Sequence, residues 1–197
     1  MESEDSTSPQ FWSTRYAARR TPWDLRGVPE PLRAFLARCR TSGSVLIPGC
    51  GSGYEVGAFH DAGFDVTALD FSPVAIEQAA SVLGPLLSKV RLGDFFTHDF
   101  EGRRFDLIYE RTFLCSMPPS RWSDYAARMA ELLAPNGRLI GIFLYGSGSD
   151  PPPFPMRNAE AIALFGSWFD RSRSEPLRDS LPVFEGMQER WEEWTRT

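Results

Sequence analysis

The stretch Ser44-Val-Leu-Ile-Pro-Gly-Cys-Gly-Ser-Gly53 constrains the fold of this chain more than any other. A short apolar run that breaks on proline and clustered glycines is the pattern of a buried strand entering a tight turn. Glycines at 49, 51 and 53 let the backbone pass close to a ligand without β-carbons in the way, and they leave amide donors at the start of whatever helix follows. That helix is predicted over Tyr54 to Ala62 on the spacing of Val56, Phe59 and His60, with Gly63 as its stop and Phe64 to Leu69 as a second apolar strand.

The same alternation continues. Asp70-Phe-Ser-Pro73 closes the second strand and opens a helix, since Ser72 can cap free amides and proline suits the first turn. Ala75, Ile76, Ala79, Ala80 and Leu83 supply its inner face. Strands are predicted over Lys89 to Leu92, Phe105 to Tyr109 and Arg138 to Tyr145, and a helix over Arg121 to Leu133 that buries Trp122, Tyr125, Met129 and Leu132. Pro135-Asn-Gly137 reads as the stop between the last two. A glycine- and proline-rich loop runs from Gly146 to Pro155; beyond it come a helix over Ala159 to Phe165 and a terminal hairpin pairing Phe169 to Leu177 with Gln188 to Thr195.

Alternating strands and helices with right-handed crossovers imply an α/β fold: a doubly wound, mostly parallel Rossmann-like sheet with a terminal antiparallel hairpin. The 197 residues suit one domain, in which residues 1–43 form an N-terminal arm and helix and residues 44–197 the α/β core. Ligands in such sheets sit beyond the carboxyl ends of the strands.

Composition narrows the partners. A formal charge of −5 disfavours phosphate backbones, so no nucleic-acid partner is expected, and Arg19–Arg20 and Arg103–Arg104 are read as solvated. The polar residues Met1 to Pro9 have no apolar leader, and no run is long enough to span a bilayer. Cys39, Cys50 and Cys115 fit no metal spacing and cannot all pair, which suggests a reducing cytoplasmic setting without a metal. His60 and His98 are read as surface or packing residues. A monomer acting on a small molecule is the expectation.

The glycine turn alone is a weak signal, and a dinucleotide fingerprint would want glycine where Tyr54 stands. Asp70 strengthens it: at the end of the second strand, 19 residues after Gly51, its carboxylate can accept both hydroxyls of a ribose. Asp94 and Phe95, after the third strand, are placed to take an adenine amino group and pack on its ring. Each has a plain alternative, Asp70 as a helix cap, Asp94 as a turn residue and Phe95 as a core aromatic.

Trp12, Thr21-Pro-Trp-Asp24, Pro48-Gly-Cys-Gly-Ser-Gly-Tyr54, Leu69-Asp70, Gly93-Asp-Phe-Phe96 and Phe105-Asp-Leu-Ile-Tyr109 occur in one order. So do Thr112-Phe-Leu-Cys115, Met129-Ala-Glu-Leu-Leu133, Pro152-Pro-Phe154 and Trp191. Together they resemble the thiopurine S-methyltransferase family, including its thiocyanate, thiol and halide branch, over nearly the whole chain. The resemblance implies a class I methyltransferase with S-adenosylmethionine as cofactor. Trp12 and Trp23 would close over it, Gly49 and Gly51 flank it, Asp70 hold the ribose, and Asp94 and Phe95 the adenine. Tryptophan faces suit a sulfonium on general grounds, although both rings can equally staple the arm to the core.

Arg111, after the fourth strand, is the candidate catalytic residue, at the edge of both the cofactor and the acceptor, where its charge favours an anion. An arginine here resembles the thiopurine branch, whereas Thr112-Phe-Leu-Cys115 resembles the plant thiol and halide branch. Tyr16, four residues after Trp12, can line the acceptor pocket, and Phe154 in the Asp150 to Pro155 loop can cover it; each can instead be a buried or anchoring aromatic. The expected reaction is methyl transfer to a small soft nucleophile: thiol, thiopurine or thiocyanate sulfur, halide or selenium. The alternatives are an N- or O-methyltransferase of small molecules and a non-catalytic adenosylmethionine-binding protein. A nicotinamide oxidoreductase is disfavoured by Tyr54.

Overall fold

A computed structural model describes residues 5–40, 42–148 and 151–197. Asp150 and the first four residues of the leading segment, two places where the sequence carried expectations, lie outside the described residues. The chain divides into two compact units, one up to Asp99 and one from Phe100 to Thr197.

The first unit contains α1 (Pro9–Ala17), α2 (Glu30–Arg38), β1 (Ser44–Pro48), α3 (Tyr54–Asp61), β2 (Asp65–Asp70), α4 (Pro73–Leu83) and β3 (Val90–Leu92). The second contains β4 (Phe105–Arg111), α5 (Trp122–Leu132), β5 (Leu133–Tyr145), α6 (Asn158–Phe165), β6 (Phe169–Pro176) and β7 (Gln188–Arg196). The strands form a mostly parallel, seven-stranded mixed sheet in the order β3-β2-β1-β4-β5-β7-β6, with the antiparallel pair at the end of the chain. The predicted fold class is the observed one.

In the first unit, β1 and β2 run parallel with Ser44 opposite Asp65 and Pro48 opposite Leu69, and β2 pairs parallel with β3 so that Asp70 faces Leu92. Val45, Leu46, Ile47, Ala68 and Leu69 are buried, as the near-continuous apolar runs of parallel strands require. Gly63 ends α3 in a left-handed conformation, donating to the His60 carbonyl while Phe64 donates back to Phe59. Ser72 caps α4, its hydroxyl accepting the Ala75 amide at 3.2 Å, with Pro73 in the first turn.

The leading segment differs from expectation in holding two helices, α1 and α2, instead of one. A Ser8 cap followed by Pro9 starts α1, which buries Phe11, Ser13 and Tyr16. One of these three inward residues is polar, so the stretch carries little hydrophobic periodicity to announce a helix.

In the second unit, β4 and β5 are parallel, with Leu107 opposite Arg138 and Arg111 opposite Ile142. The fifth strand starts at Leu133, earlier than the predicted Arg138, because Leu133 already pairs with Phe105. Pro135-Asn136-Gly137 is an excursion within the strand, with Asn136 left-handed, and the register resumes beyond it. Helix α5 buries Trp122, Tyr125, Met129 and Leu132, as predicted. Phe165 of α6 stacks edge-on or tilted against Tyr125, Phe143, Phe169 and Trp194, with ring centroids 5.0 to 6.2 Å apart. The terminal hairpin forms as predicted: β7 pairs antiparallel with both β5 and β6. Among the described residues no helix is long and apolar enough to cross a membrane, and no group of three or more His, Cys, Asp and Glu side chains could hold a metal ion.

Candidate active site

The first unit gathers most of the predicted cofactor residues at the carboxyl ends of β1 and β2. Gly49, Gly51 and Gly53 all take left-handed backbone angles, with φ of 60°, 50° and 77°. This turn carries the chain from β1 into α3 and bends the Gly51 amide toward the end of β2. The amide donates to one oxygen of Asp70 at 2.9 Å, and the Ser72 amide donates to the other at 2.8 Å. Asp70 is only 7% exposed. Burial pushes its carboxyl above the usual range, while the Ser72, Gly51 and Phe71 amides pull it back. A carboxylate offers about four lone-pair sites, so these bonds leave room for two further hydroxyl donors. The side-chain cap of α4 is the Ser72 hydroxyl and not Asp70, which accepts the main-chain amide of that cap residue.

Above this turn lies an aromatic cluster. Trp12 and Trp23 meet edge to face at 5.3 Å, and Tyr16 meets Trp23 at 6.1 Å. The Trp12 indole donates to the Ser6 carbonyl at 2.8 Å, and both tryptophans stay partly exposed. Tyr16 is buried, with its hydroxyl 2.5 Å from where a Cβ on Gly51 would lie. Burial, reinforced by the Asp70 charge, raises the Tyr16 phenol far above its ordinary value, and the Trp23 hydrogen bond only partly opposes this. The structure thus seats Tyr16 with the cofactor-side residues of its own unit.

Three hydrogen bonds fasten this arm. The Ser13 and Ser72 hydroxyls lie 2.9 Å apart, tying α1 to the start of α4. The Ser52 hydroxyl donates to Asp24 at 2.6 Å, tying the arm to the glycine turn, and the Gln78 amide donates to the Tyr16 carbonyl at 2.7 Å. Sequence reasoning assigned no role to Ser13, Ser52, Asp24 or Gln78. Asp24 stood in the Thr21-Pro-Trp-Asp24 motif without a role, whereas nothing local marks Ser13 or Gln78.

After β3, the Gly93 amide donates to the Asp70 carbonyl at 3.0 Å, which brings Asp94 and Phe95 beside the same strand end. Asp94 is exposed, and one of its oxygens accepts the Phe96 amide at 2.8 Å. Phe95 is buried and meets Phe96 edge to face at 5.4 Å.

In the second unit, Arg111 ends β4 and is half-buried. Its charge reaches the buried Cys115, where it lowers a thiol otherwise raised by burial and by Glu110 and Glu189. The Phe154 amide donates to the Cys115 carbonyl at 2.7 Å, pinning the proline-rich loop to the turn after β4. A small cavity there is lined by residues that include Glu110, Cys115, Ile142, Phe154 and Met156. Sequence reasoning also missed Glu110, which lies one residue past the predicted strand end at Tyr109, the observed strand running on to Arg111.

These features suit an adenosyl group carrying a sulfonium: a buried carboxylate with spare acceptor capacity, aromatic faces, and no basic residue among Gly49–Tyr54 to meet a pyrophosphate.

Comparison with known proteins points the same way. The family model for thiopurine S-methyltransferase matches residues 7–197. A probable thiol methyltransferase 2 from Arabidopsis thaliana is 35% identical over 167 residues, covering 81% of this chain and 72% of that protein. A thiopurine S-methyltransferase from Vibrio cholerae is 27% identical over 177 residues, covering 80% of each. Among solved structures, a Burkholderia thailandensis 1,6-didemethyltoxoflavin N1-methyltransferase with bound S-adenosylhomocysteine has a TM-score of 0.77 at 21% identity, covering 98% of this chain and 88% of that one.

Proposed function

Because the chain belongs to the thiopurine S-methyltransferase family and is an S-adenosylmethionine-dependent methyltransferase, we propose that it methylates a small sulfur nucleophile at the ends of its parallel strands. The observation that carries the site is the Asp70 carboxylate, buried yet bound to only two or three main-chain amides.

Bound there, adenosylmethionine supplies an electrophilic methyl group on a sulfonium. Asp70 accepts the ribose hydroxyls, Gly49 and Gly51 flank the adenosyl group, and Asp94 and Phe95 hold the adenine. Trp12 and Trp23 offer aromatic faces to a cation with apolar substituents, an attraction worth about 0.5–2 kcal/mol. Tyr16, uncharged at neutral pH, completes the wall as a neutral hydroxyl.

Arg111 holds the acceptor and favours its anionic form, and Phe154 covers it. A thiolate or thiocyanate already carries its electron pair, so alignment supplies much of the acceleration and no strong general base is needed. The thiol, thiocyanate and thiopurine names of relatives support sulfur as the acceptor atom. The few cysteines, none in a metal spacing, and the formal charge of −5 support a cytoplasmic enzyme without a nucleic-acid partner.

The test is to incubate the purified chain with adenosylmethionine and a panel of thiocyanate, hydrosulfide, a thiopurine, a neutral thiol, iodide, an amine and a phenol, and to follow S-adenosylhomocysteine. Release with sulfur acceptors in preference to the amine and phenol is expected. Turnover confined to the amine or phenol, or binding without any turnover, refutes the reading.

A further inference from the structure

We propose that Glu110 and Tyr125 are positioning residues for Arg111, fixing from one face of β4 the main chain that carries the guanidinium on the other. This rests on the acceptor role of Arg111 proposed above.

Successive residues of a strand point to opposite faces, so Glu110 and Arg111, the last two residues of β4, face apart. Glu110 is 1% exposed, and burying a carboxyl this deep demands partners. It has several. The Phe113 amide donates to one oxygen at 3.0 Å, and the Leu114 amide lies 3.2 Å from both. The Tyr125 hydroxyl of α5 donates to the second oxygen at 2.6 Å.

These bonds hold a turn that begins immediately after Arg111. Thr112 adopts a left-handed φ of 56°, which L-residues avoid, and the next two amides both close on Glu110. The tip of β4 is also held from its neighbour: Gly141 of β5 lies opposite Glu110, and a Cβ there would overlap the Glu110 main chain. The register at Arg111 and Ile142 is set by this close approach on one side and by the carboxylate-bound turn on the other. Tyr125 in turn is fixed by packing, its ring lying 6.0 Å from Phe113 and 6.2 Å from Phe165.

The Cys115 carbonyl, one residue past Leu114, receives the Phe154 amide. The same turn therefore carries both proposed acceptor residues of this unit, Arg111 through the strand and Phe154 through the loop. A carboxyl needed only to fill a core would serve no better than an apolar residue of its size. Its bonds are spent on the turn beside the acceptor arginine.

The test compares Tyr125→Phe, Glu110→Gln and Arg111→Ala by steady-state kinetics with thiocyanate and with a neutral thiol, alongside calorimetric affinity for S-adenosylhomocysteine. Displacing the guanidinium weakens an anion more than a neutral acceptor. The expected result is a KM for thiocyanate raised about tenfold in Tyr125→Phe and Glu110→Gln, the equivalent of ~1.4 kcal/mol, with KM for the neutral thiol and nucleotide affinity changed by less than about twofold. If Arg111→Ala raises the thiocyanate KM and both other variants leave it alone, the positioning role is wrong and the acceptor site stands. If Arg111→Ala itself changes nothing, both fail; where the wild type turns over hydrosulfide and not thiocyanate, hydrosulfide is the anionic acceptor in the same comparison. Should Glu110→Gln not fold, Tyr125→Phe, which loses one hydroxyl, decides the matter alone, and equal losses with both acceptors would mark a structural role.

Discussion

The Tyr16 hydroxyl stands 2.5 Å from the point where a Cβ on Gly51 would lie. A ring of the arm and a glycine of the turn after β1 thus occupy adjoining space, and the glycine is also left-handed, with φ of 50°. Gly51→Ala should incur both penalties. The backbone strain costs ~1–2 kcal/mol, and Tyr16 must withdraw. A double-mutant cycle by chemical denaturation separates the two: Tyr16→Phe in the Gly51→Ala background should recover the steric part and leave the strain. Strict additivity of the two substitutions would mean that the hydroxyl does not meet the new methyl.

The arm should open as a unit when its ties are cut. Ser13→Ala removes the hydroxyl facing Ser72, and Asp24→Ala removes the acceptor of Ser52. Each loss is expected to cost about 1 kcal/mol. Amide hydrogen exchange should accelerate in α1 while the amides of β1 and β2 keep their protection. Uniform acceleration through the first unit would instead mean that the ties support the whole unit.

Tryptophans at 12 and 23 were visible, but the ties are single polar pairs 28 and 59 residues apart in sequence, and such pairs leave no periodic signal. Asp70 was legible because strand, turn and spacing all converge on it. Its main-chain partners were not, since the Gly51 and Ser72 amides that hold it are invisible in a string of side chains. In the second unit the apolar runs located β4 and β5, while the start of β5 was misjudged because Pro135-Asn-Gly137 is spelled like a boundary and folds as an excursion. Glu110 falls just past the predicted end of β4, and its partners come from the following turn and from α5, which only folding brings to it.

Arg111→Lys should be informative beside the alanine variant. Lysine keeps the charge and loses the planar fork. If the acceptor is held chiefly by charge, thiocyanate turnover by Arg111→Lys should stay within about tenfold of wild type, a change of ~1.4 kcal/mol, while Arg111→Ala loses more. Equal loss in both variants would show that the fork geometry matters and the charge alone does not.

Glu110 also makes a pH prediction. Burial lifts its carboxyl from 4.5 to about 7, against the pull of Tyr125 and the Leu114 and Phe113 amides. A carboxyl whose folded value lies above its unfolded one stabilises the fold fully below the unfolded value, and that stabilisation fades as pH rises through the folded value. Between about pH 4.5 and 7, wild-type stability should therefore fall by roughly 3 kcal/mol on this account. Asp70, also raised, contributes in the same direction. In Glu110→Gln the slope should flatten, because an amide does not titrate. Parallel profiles for the two proteins, followed by thermal unfolding from pH 5 to 8, would contradict the assignment.

The ribose grip by Asp70 is tested most directly by isothermal calorimetry of S-adenosylhomocysteine binding to the wild type, Asp70→Asn and Asp70→Ala, with folding of each verified by its unfolding transition. Binding at the wild-type site, weakened at least about tenfold in Asp70→Asn and further in Asp70→Ala, a step of ~1.4 kcal/mol or more, is the predicted result. Folded variants that bind the nucleotide as tightly as the wild type would contradict it.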